Sequence, residues 1–545
     1  MRKLKDLFKN KLFIKLGVTA LLLFIGIALF YINFRLADYA HDSIVYSMTI
    51  EKKIMYAVYH AHHLYYNIYK MLLLDVLKTF GYTGGALLLS QIYNSILGAA
   101  GIGFLFLTVY YITKDYVTSL LSGLFVASCF GYWYDSTFAG VRMGVVFLIP
   151  LFLMLVLYMR NEKVPVWKDL LLVAGMGILH GFVVLLHQTH AMFGIVVLAA
   201  FLLKKETWPK KAMFFSIYCT VFLLIVAGMY YHVAYHKFYI RSMPEFKKWF
   251  ISYATLGYWG FFNNHSVSTA LWGIRKMITG ELPDGAKLLF GVKNIVIIKT
   301  LLYIPAFFTV YLLAFSFRVF KKYWKELTLS FVWLILYCIF FTWWEPGNFE
   351  FWIYPLPAAV FIMAIAISDF LDLWKKEKIK LIWKTFFAAT VSAGILVLFL
   401  YNLQGSILPM SNKENIYAYH ILEEAKRLSD SENDLFFVSE DNIPHNLDYY
   451  LKKKNTTPLS SFEKAKGNED QAYRIMDESI KKTLESGNKV FLMSTIANET
   501  EIKNIWIACP SASKERFYSF FTGNYSLAPQ YYSEKKYYFW EVGLK

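Results

Sequence analysis

Apolar stretches recur from Leu12 to Tyr401, and the links between them are alternately basic and almost free of Lys and Arg. A bilayer core of about 30 Å needs roughly 20 apolar residues per helix. On that length the pattern predicts spans near 12–32, 86–112, 117–134, 143–159, 169–187, 190–204, 213–235, 296–317, 328–344, 353–371 and 385–402. The fold class expected is therefore an α-helical polytopic membrane protein with about 11 transmembrane helices. The basic links are Arg2–Lys15, Arg160–Lys168, Lys204–Lys211, Arg318–Lys325 and Lys375–Lys384. Lys and Arg are retained on the cytoplasmic side of a membrane, which puts the N-terminus inside and the C-terminus outside. The run Leu16–Ile32 is long for a signal peptide, and Asn33-Phe34-Arg35 is a poor cleavage site, so it reads as an uncleaved first span.

Residues 54–77 form the one apolar segment that breaks the alternation. They hold His60, His62, His63, Asn67, Lys70 and Asp75, and a charged residue costs up to about 3 kcal/mol at a helix centre in the bilayer. They are expected as amphipathic helices lying at the outer interface. The transmembrane domain, 1–409, then carries outer loops at about 33–85 and 236–294. The second of these is rich in Lys and Arg, which suits an anionic ligand or a face against lipid headgroups. Trp249, Trp259 and Trp272 in that loop suit contact with the bilayer surface. Residues 410–545 are polar. A helix at Lys413–Leu428 and strands at Asp434–Ser439, Lys489–Ser494 and Tyr537–Val542 predict a small C-terminal extracytoplasmic α/β domain. It has no phosphate-binding glycine loop and no metal-ligand spacing.

Composition agrees with the membrane class: 57% hydrophobic, 19% aromatic and a mean hydropathy of +0.40. The net charge of +17 lies largely in short links, where it sets topology and meets membrane lipids. It therefore gives no reason to expect nucleic acid. Cys129, Cys219, Cys338 and Cys509 are scattered and indicate neither a disulfide framework nor a thiolate metal site.

The short non-basic links carry the unusual polar residues. Asp38 and Asp42 follow the first span, and at i and i+4 they would share a face if the helix continues. Two such acids suit a general base, a divalent metal ion, or simple solvation. His60 and His63 are spaced to share a helical face with Asn67, and suit metal, phosphate, sugar hydroxyls or headgroups. Trp343-Trp344-Glu345-Pro346-Gly347-Asn348-Phe349-Glu350-Phe351-Trp352 is a tight turn with two acids, an amide and three indoles. That mixture fits a carbohydrate site, where rings stack on sugar faces and Glu345, Asn348 and Glu350 bond hydroxyls; an aromatic belt is the plainer reading. His187, Gln188 and His190 occupy another outer turn, and Asp135 with Arg142 a third. The topology rests on Lys and Arg alone, so the convergence of these residues on one side is independent of it.

Taken together, an acid just beyond the first span, a first outer loop with interfacial helices, about eleven spans and a terminal soluble domain resemble the GT-C class of membrane glycosyltransferases. Protein O-mannosyltransferases and aminoarabinose-type lipid A transferases belong to that class. The resemblance is architectural and covers most of the chain. It implies a sugar donor linked to polyprenyl phosphate or pyrophosphate and an extracytoplasmic acceptor: protein, lipid or glycan. The class's acidic position maps onto Asp38, with Asp42 as the alternative catalytic acid, although this chain lacks the paired Asp-Glu or Asp-x-Asp of several members. Arg142, His60, His63, Arg275 and Lys276 are then candidate partners of the lipid phosphate. A bacterial inner or plasma membrane is the expected location. A transporter or flippase of lipid-linked molecules, and a non-catalytic scaffold, are the competing classes. Transporters usually place polar sites near mid-membrane, whereas here they gather at one mouth.

Overall fold

The computed structural model describes the chain apart from residues 1–10, 162–164, 252–258, 281–286, 289–291, 294–295, 298–310, 312–315, 374–378, 439–441, 467, 495–508, 510–511 and 534–535. It divides into two compact units, one of Met1–Leu36 with Thr49–Ser411, the other of Ala37–Met48 with Asn412–Lys545.

The first unit is helical. In chain order it contains α1 (Lys11–Asn33), part of α2 (His41–Glu51), α3 (Met55–Val58), α4 (Tyr66–Thr79), α5 (Ala86–Thr113), α6 (Tyr116–Ser128), α7 (Phe130–Thr137) and α8 (Met143–Asn161). There follow α9 (Val166–Leu186), α10 (Phe193–Leu203), α11 (Trp208–His236), α12 (Met243–Phe250), α13 (Ser266–Thr279), α14 (Ser316–Trp344), α15 (Leu356–Leu373) and α16 (Ile379–Asn402). Strands β1 (Lys287–Leu288) and β2 (Val292–Lys293) form a short antiparallel pair. Among the described residues six helices are long and apolar enough to cross a bilayer: Leu12–Asn33, Ala86–Thr113, Val166–Leu186, Trp208–His236, Phe317–Trp344 and Thr385–Ser411. Met143–Met159 and Gln188–Leu203 are shorter apolar helices. The span expected at 296–317 falls largely outside the described residues.

The span expected at 117–134 is broken. α6 and α7 meet at Cys129, whose backbone is extended, and they bend by 65°. A break in an apolar environment frees backbone groups that need partners. Asn402 at the end of α16 supplies one, donating to the carbonyls of Ser128 and Ile278, each at 2.8 Å. Close packing of α7 on α5 uses small residues: a Cβ at Gly98 would collide with Ser136, and one at Gly101 with the Tyr132 hydroxyl. Residues 54–77 fold as α3, a 3-10 turn at Ala61–His63 and α4, none of them among the helices long and apolar enough to span.

The second unit is a small α/β fold. Its five-stranded sheet has the order β4-β3-β5-β7-β6, with β3 (Leu435–Phe437), β4 (Lys454–Thr456), β5 (Val490–Met493), β6 (Tyr525–Ser533) and β7 (Lys536–Leu544). β3 pairs in parallel with β4 and β5, while β7 runs antiparallel to β5 and β6. β6 carries Pro529, which cannot donate to a ladder, and it lies at the sheet edge where that is tolerated. The helix expected at Lys413–Leu428 begins later, at Tyr417, and packs Ala418, Ile421, Leu422 and Ala425 onto Phe436, Phe491 and Phe539.

Candidate active site

The chain leaves α7 through a buried loop, 138–142, that carries Arg142 into α8. Five successive carbonyls there and at the α7 end lack ordinary helical partners, and each is taken by a buried side chain. Ser95 bonds Ser136 at 2.9 Å, Gln91 bonds Thr137 at 2.9 Å, and Tyr66 bonds Ala139 at 2.9 Å. Asn94 donates both amide hydrogens, to Phe138 at 2.7 Å and Gly140 at 2.8 Å. Gln91, Asn94, Ser95 and Gly98 are spaced i, i+3, i+4 and i+7, one stripe along an otherwise apolar α5. An orphaned buried carbonyl costs about 1–3 kcal/mol, so the stripe defines the loop's path.

Lys70 lies beneath this cradle, almost fully buried. It donates to the Tyr66 phenol and, at 3.4 Å, to Asn94 Oδ1. No carboxylate pairs with it among the described residues, and burial pushes its ammonium well below the usual lysine range.

Arg142 reaches two acids. Its Nη1 lies 3.2 Å from Asp135 Oδ1, and its Nη2 is ion-paired with Glu350. The guanidinium also stands 5.5 Å from the Phe351 ring centre. Glu350 is set by Asn348, which caps the 3-10 turn Phe349–Ile353 and accepts the Glu350 N–H at 3.1 Å. Phe349 packs on Phe130 and Tyr134 of α7, with Lys276 of α13 4.8 Å from its ring centre. The structure thus joins Arg142, Asn348, Glu350 and Lys276 in one neighbourhood. Glu345 opens the same turn and is partly buried. Arg142 is thus shared by two carboxylates. Arg275, half-buried beside Trp272, has no carboxylate partner among the described residues.

The histidines form a second group. His60 and His63 stack at 4.3 Å, and His60 Nδ1 accepts the His62 N–H at 3.3 Å. Their turn is held by Tyr230, which donates to Ala61 O at 2.6 Å, and by the Tyr65 N–H to Leu185 O at 2.9 Å. Burial, and then the neighbouring His60, pushes His62 down to about 4, and burial, His60, His187 and His62 lower His63 as well. Both are neutral near pH 7, so they offer hydrogen bonds and not positive charge. His187 bonds Thr189 at 2.8 Å and feels both His62 and Arg142. His190 bonds Tyr337 at 2.7 Å and meets Tyr354 edge-on at 4.4 Å. Asn67 does not join them: it donates to Ala57 O at 3.3 Å from a buried position.

Asp38 and Asp42 belong to the second unit. They do not share a continued helix, because α1 stops at Asn33 and α2 begins at His41. Asp38 is buried and its Oδ1 accepts the Ala40 N–H at 3.1 Å, while Asp42 is exposed in the first turn of α2. Among the described residues no group of three or more His, Cys, Asp or Glu is placed to hold a metal ion. Asp135 and Glu350 share a guanidinium. The described residues therefore do not fit a bound divalent ion.

No family model matches the chain, and no curated protein does. Solved structures do match along almost its whole length. ArnT from Cupriavidus metallidurans in the apo state aligns with a TM-score of 0.55 at 12% identity, over 96% of this chain and 98% of that one. The same protein bound to undecaprenyl phosphate gives 0.51 at 12%, over 96% and 97%. The archaeal oligosaccharyltransferase AglB from Archaeoglobus fulgidus, in complex with an inhibitory peptide and a dolichol-phosphate, gives 0.52 at 14%, over 96% and 74%. The chain has their fold. It is a multi-pass membrane protein. Sequence reasoning missed the cradle; the stripe at Gln91, Asn94, Ser95 and Gly98 was the available signal.

Proposed function

We propose that this protein is a membrane glycosyltransferase that moves a sugar from a polyprenyl-phosphate-linked donor to an extracytoplasmic acceptor. The observation that carries this reading is the fold shared over 96% of the chain with proteins solved with undecaprenyl phosphate and dolichol-phosphate. The eleven-span count, an N-terminus in the cytoplasm and residues 410–545 outside it belong to the same proposal, supported by the alternation of basic links.

The reaction needs a base for the acceptor, a partner for the leaving phosphate and a frame for the sugar. Asp38 is assigned as the base, taking the acceptor's proton as its oxygen bonds to the anomeric carbon. The bond from that carbon to the phosphate oxygen breaks, and the lipid phosphate departs with the electron pair. Arg275 and Lys276 are assigned to its growing charge, which charge-assisted bonds stabilise strongly where water is scarce. Glu345, Asn348 and Glu350 orient hydroxyls, with Arg142 and Asp135 holding Glu350 in place. His60, His63, His187 and His190 add hydrogen-bonding groups. The test is turnover by purified protein of a polyprenyl-phosphate sugar, compared with a nucleotide sugar.

A further inference from the structure

We propose that the C-terminal unit is the holder of the Asp38 segment, with Tyr450 and Asn446 as positioning residues. The inference rests on the assignment of Asp38 as the base.

Between Phe34 and Ala40 the chain is non-helical, so most of its backbone groups have no intrahelical partners. Two of the carbonyls are taken by side chains from far along the sequence. Tyr450 donates its hydroxyl to Asp38 O at 3.0 Å, and Asn446 donates to Tyr39 O at 2.9 Å. The neighbouring side chains are gripped as well. The Tyr39 ring lies 5.2 Å from Tyr450 and 6.3 Å from Tyr419, packed against the core around Ile421, Ile443 and Phe539. His41 meets His445 edge-on at 4.6 Å. Residues 37–48 accordingly group with Asn412–Lys545 in one compact unit.

The gripping turn is itself stiff. Asn446 is fully buried and donates a second bond to Asn442 O at 2.7 Å. Lys452, at φ 53°, ends the turn Leu447–Leu451 in the left-handed region. Asp38 is thereby fixed at its carbonyl by Tyr450 and at its carboxylate by the Ala40 N–H. A base has to be held within tenths of an ångström of its proton, and displacement of the order of 1 Å costs about a hundredfold in rate. Residues 412–545, which hold no residue assigned to the chemistry, contribute to the reaction in this way.

The test uses the full chain. Tyr450→Phe keeps the ring and removes the hydroxyl. It should lower kcat about ten- to a hundredfold, leave the donor KM within about twofold, and speed amide exchange at residues 38–41. Arg516→Ala, which breaks the surface pairs to Glu469 and Asp470, loosens the same unit without touching the segment and should leave kcat unchanged. Wild-type kcat in Tyr450→Phe, or an equal loss in Arg516→Ala, overturns the inference. Asp38→Asn separates the two levels. If it is inactive while Tyr450→Phe is fully active, only the positioning role fails; if it turns over normally, the base assignment fails as well.

Discussion

Arg142 and Glu350 form a largely buried ion pair between two turns remote from each other in the sequence, one leading into α8 and the other following α14. Asp135 completes the set, so the guanidinium is held by one carboxylate from α7 and one from the capped turn at Asn348. The pair ties the loop cradled by α5 to the aromatic turn.

Removing the guanidinium would leave two carboxylates buried together. Arg142→Gln is expected to lower stability by about 3–5 kcal/mol, the usual cost of breaking a buried pair from one side. Arg142→Lys should recover only part of this, since an ammonium cannot serve both acids in the same planar geometry. Thermal unfolding in detergent, read together with turnover, checks both.

The cradle makes a separate demand. Asn94→Leu keeps the approximate volume but strands the Phe138 and Gly140 carbonyls, at about 1–3 kcal/mol each. The loop would then shift, and turnover should fall with it. Gln91→Leu, which strands Thr137 O and Leu36 O, should behave similarly. Wild-type stability in both variants would show that water replaces the side chains.

The donor phosphate is assigned to α13. Arg275→Gln and Lys276→Gln should each raise the donor KM about tenfold, the magnitude of one lost charge-assisted bond. Neutralising Lys375 and Lys376, in a link assigned to the cytoplasmic face, should leave it unchanged. An unchanged KM in the α13 variants would move the phosphate elsewhere.

Acid should act through the histidines. His62 and His63 have folded-state values below the ordinary 6.5, with His62 at about 4, so the folded protein binds fewer protons than the unfolded chain. Their contribution is complete above about pH 6.5 and is lost as pH falls toward 4. Thermal stability should decline over that window, and His62→Asn should flatten the decline. A profile of wild-type steepness in that variant would assign the effect to other groups.

Part of this arrangement was legible in the sequence: Arg142, Asn348, Glu350 and Lys276, singled out on separate links, lie in one neighbourhood. Arg142 could be paired with Asp135 by proximity, but not with Glu350, since nothing local reports a contact across that sequence distance. The stripe Gln91, Asn94, Ser95 was hidden because a long apolar helix dilutes three polar residues. The break at Cys129 left no proline or glycine signal at that position, as its compensating donor, Asn402, comes from α16. In the second unit β5 and β7 were visible as hydrophobic runs. β4, Lys454–Thr456, is polar, and β6 contains Pro529, so neither carries a strand pattern.

The central claim is transfer from a lipid-linked donor, and the most direct measurement is a reconstituted assay with radiolabelled polyprenyl-phosphate sugar. The purified wild-type protein is expected to release polyprenyl phosphate and label an acceptor in a membrane extract, Asp38→Asn is expected to do neither, and a nucleotide sugar is expected to support no turnover. Turnover from the nucleotide sugar alone, or undiminished lipid-donor turnover by Asp38→Asn, would contradict the account.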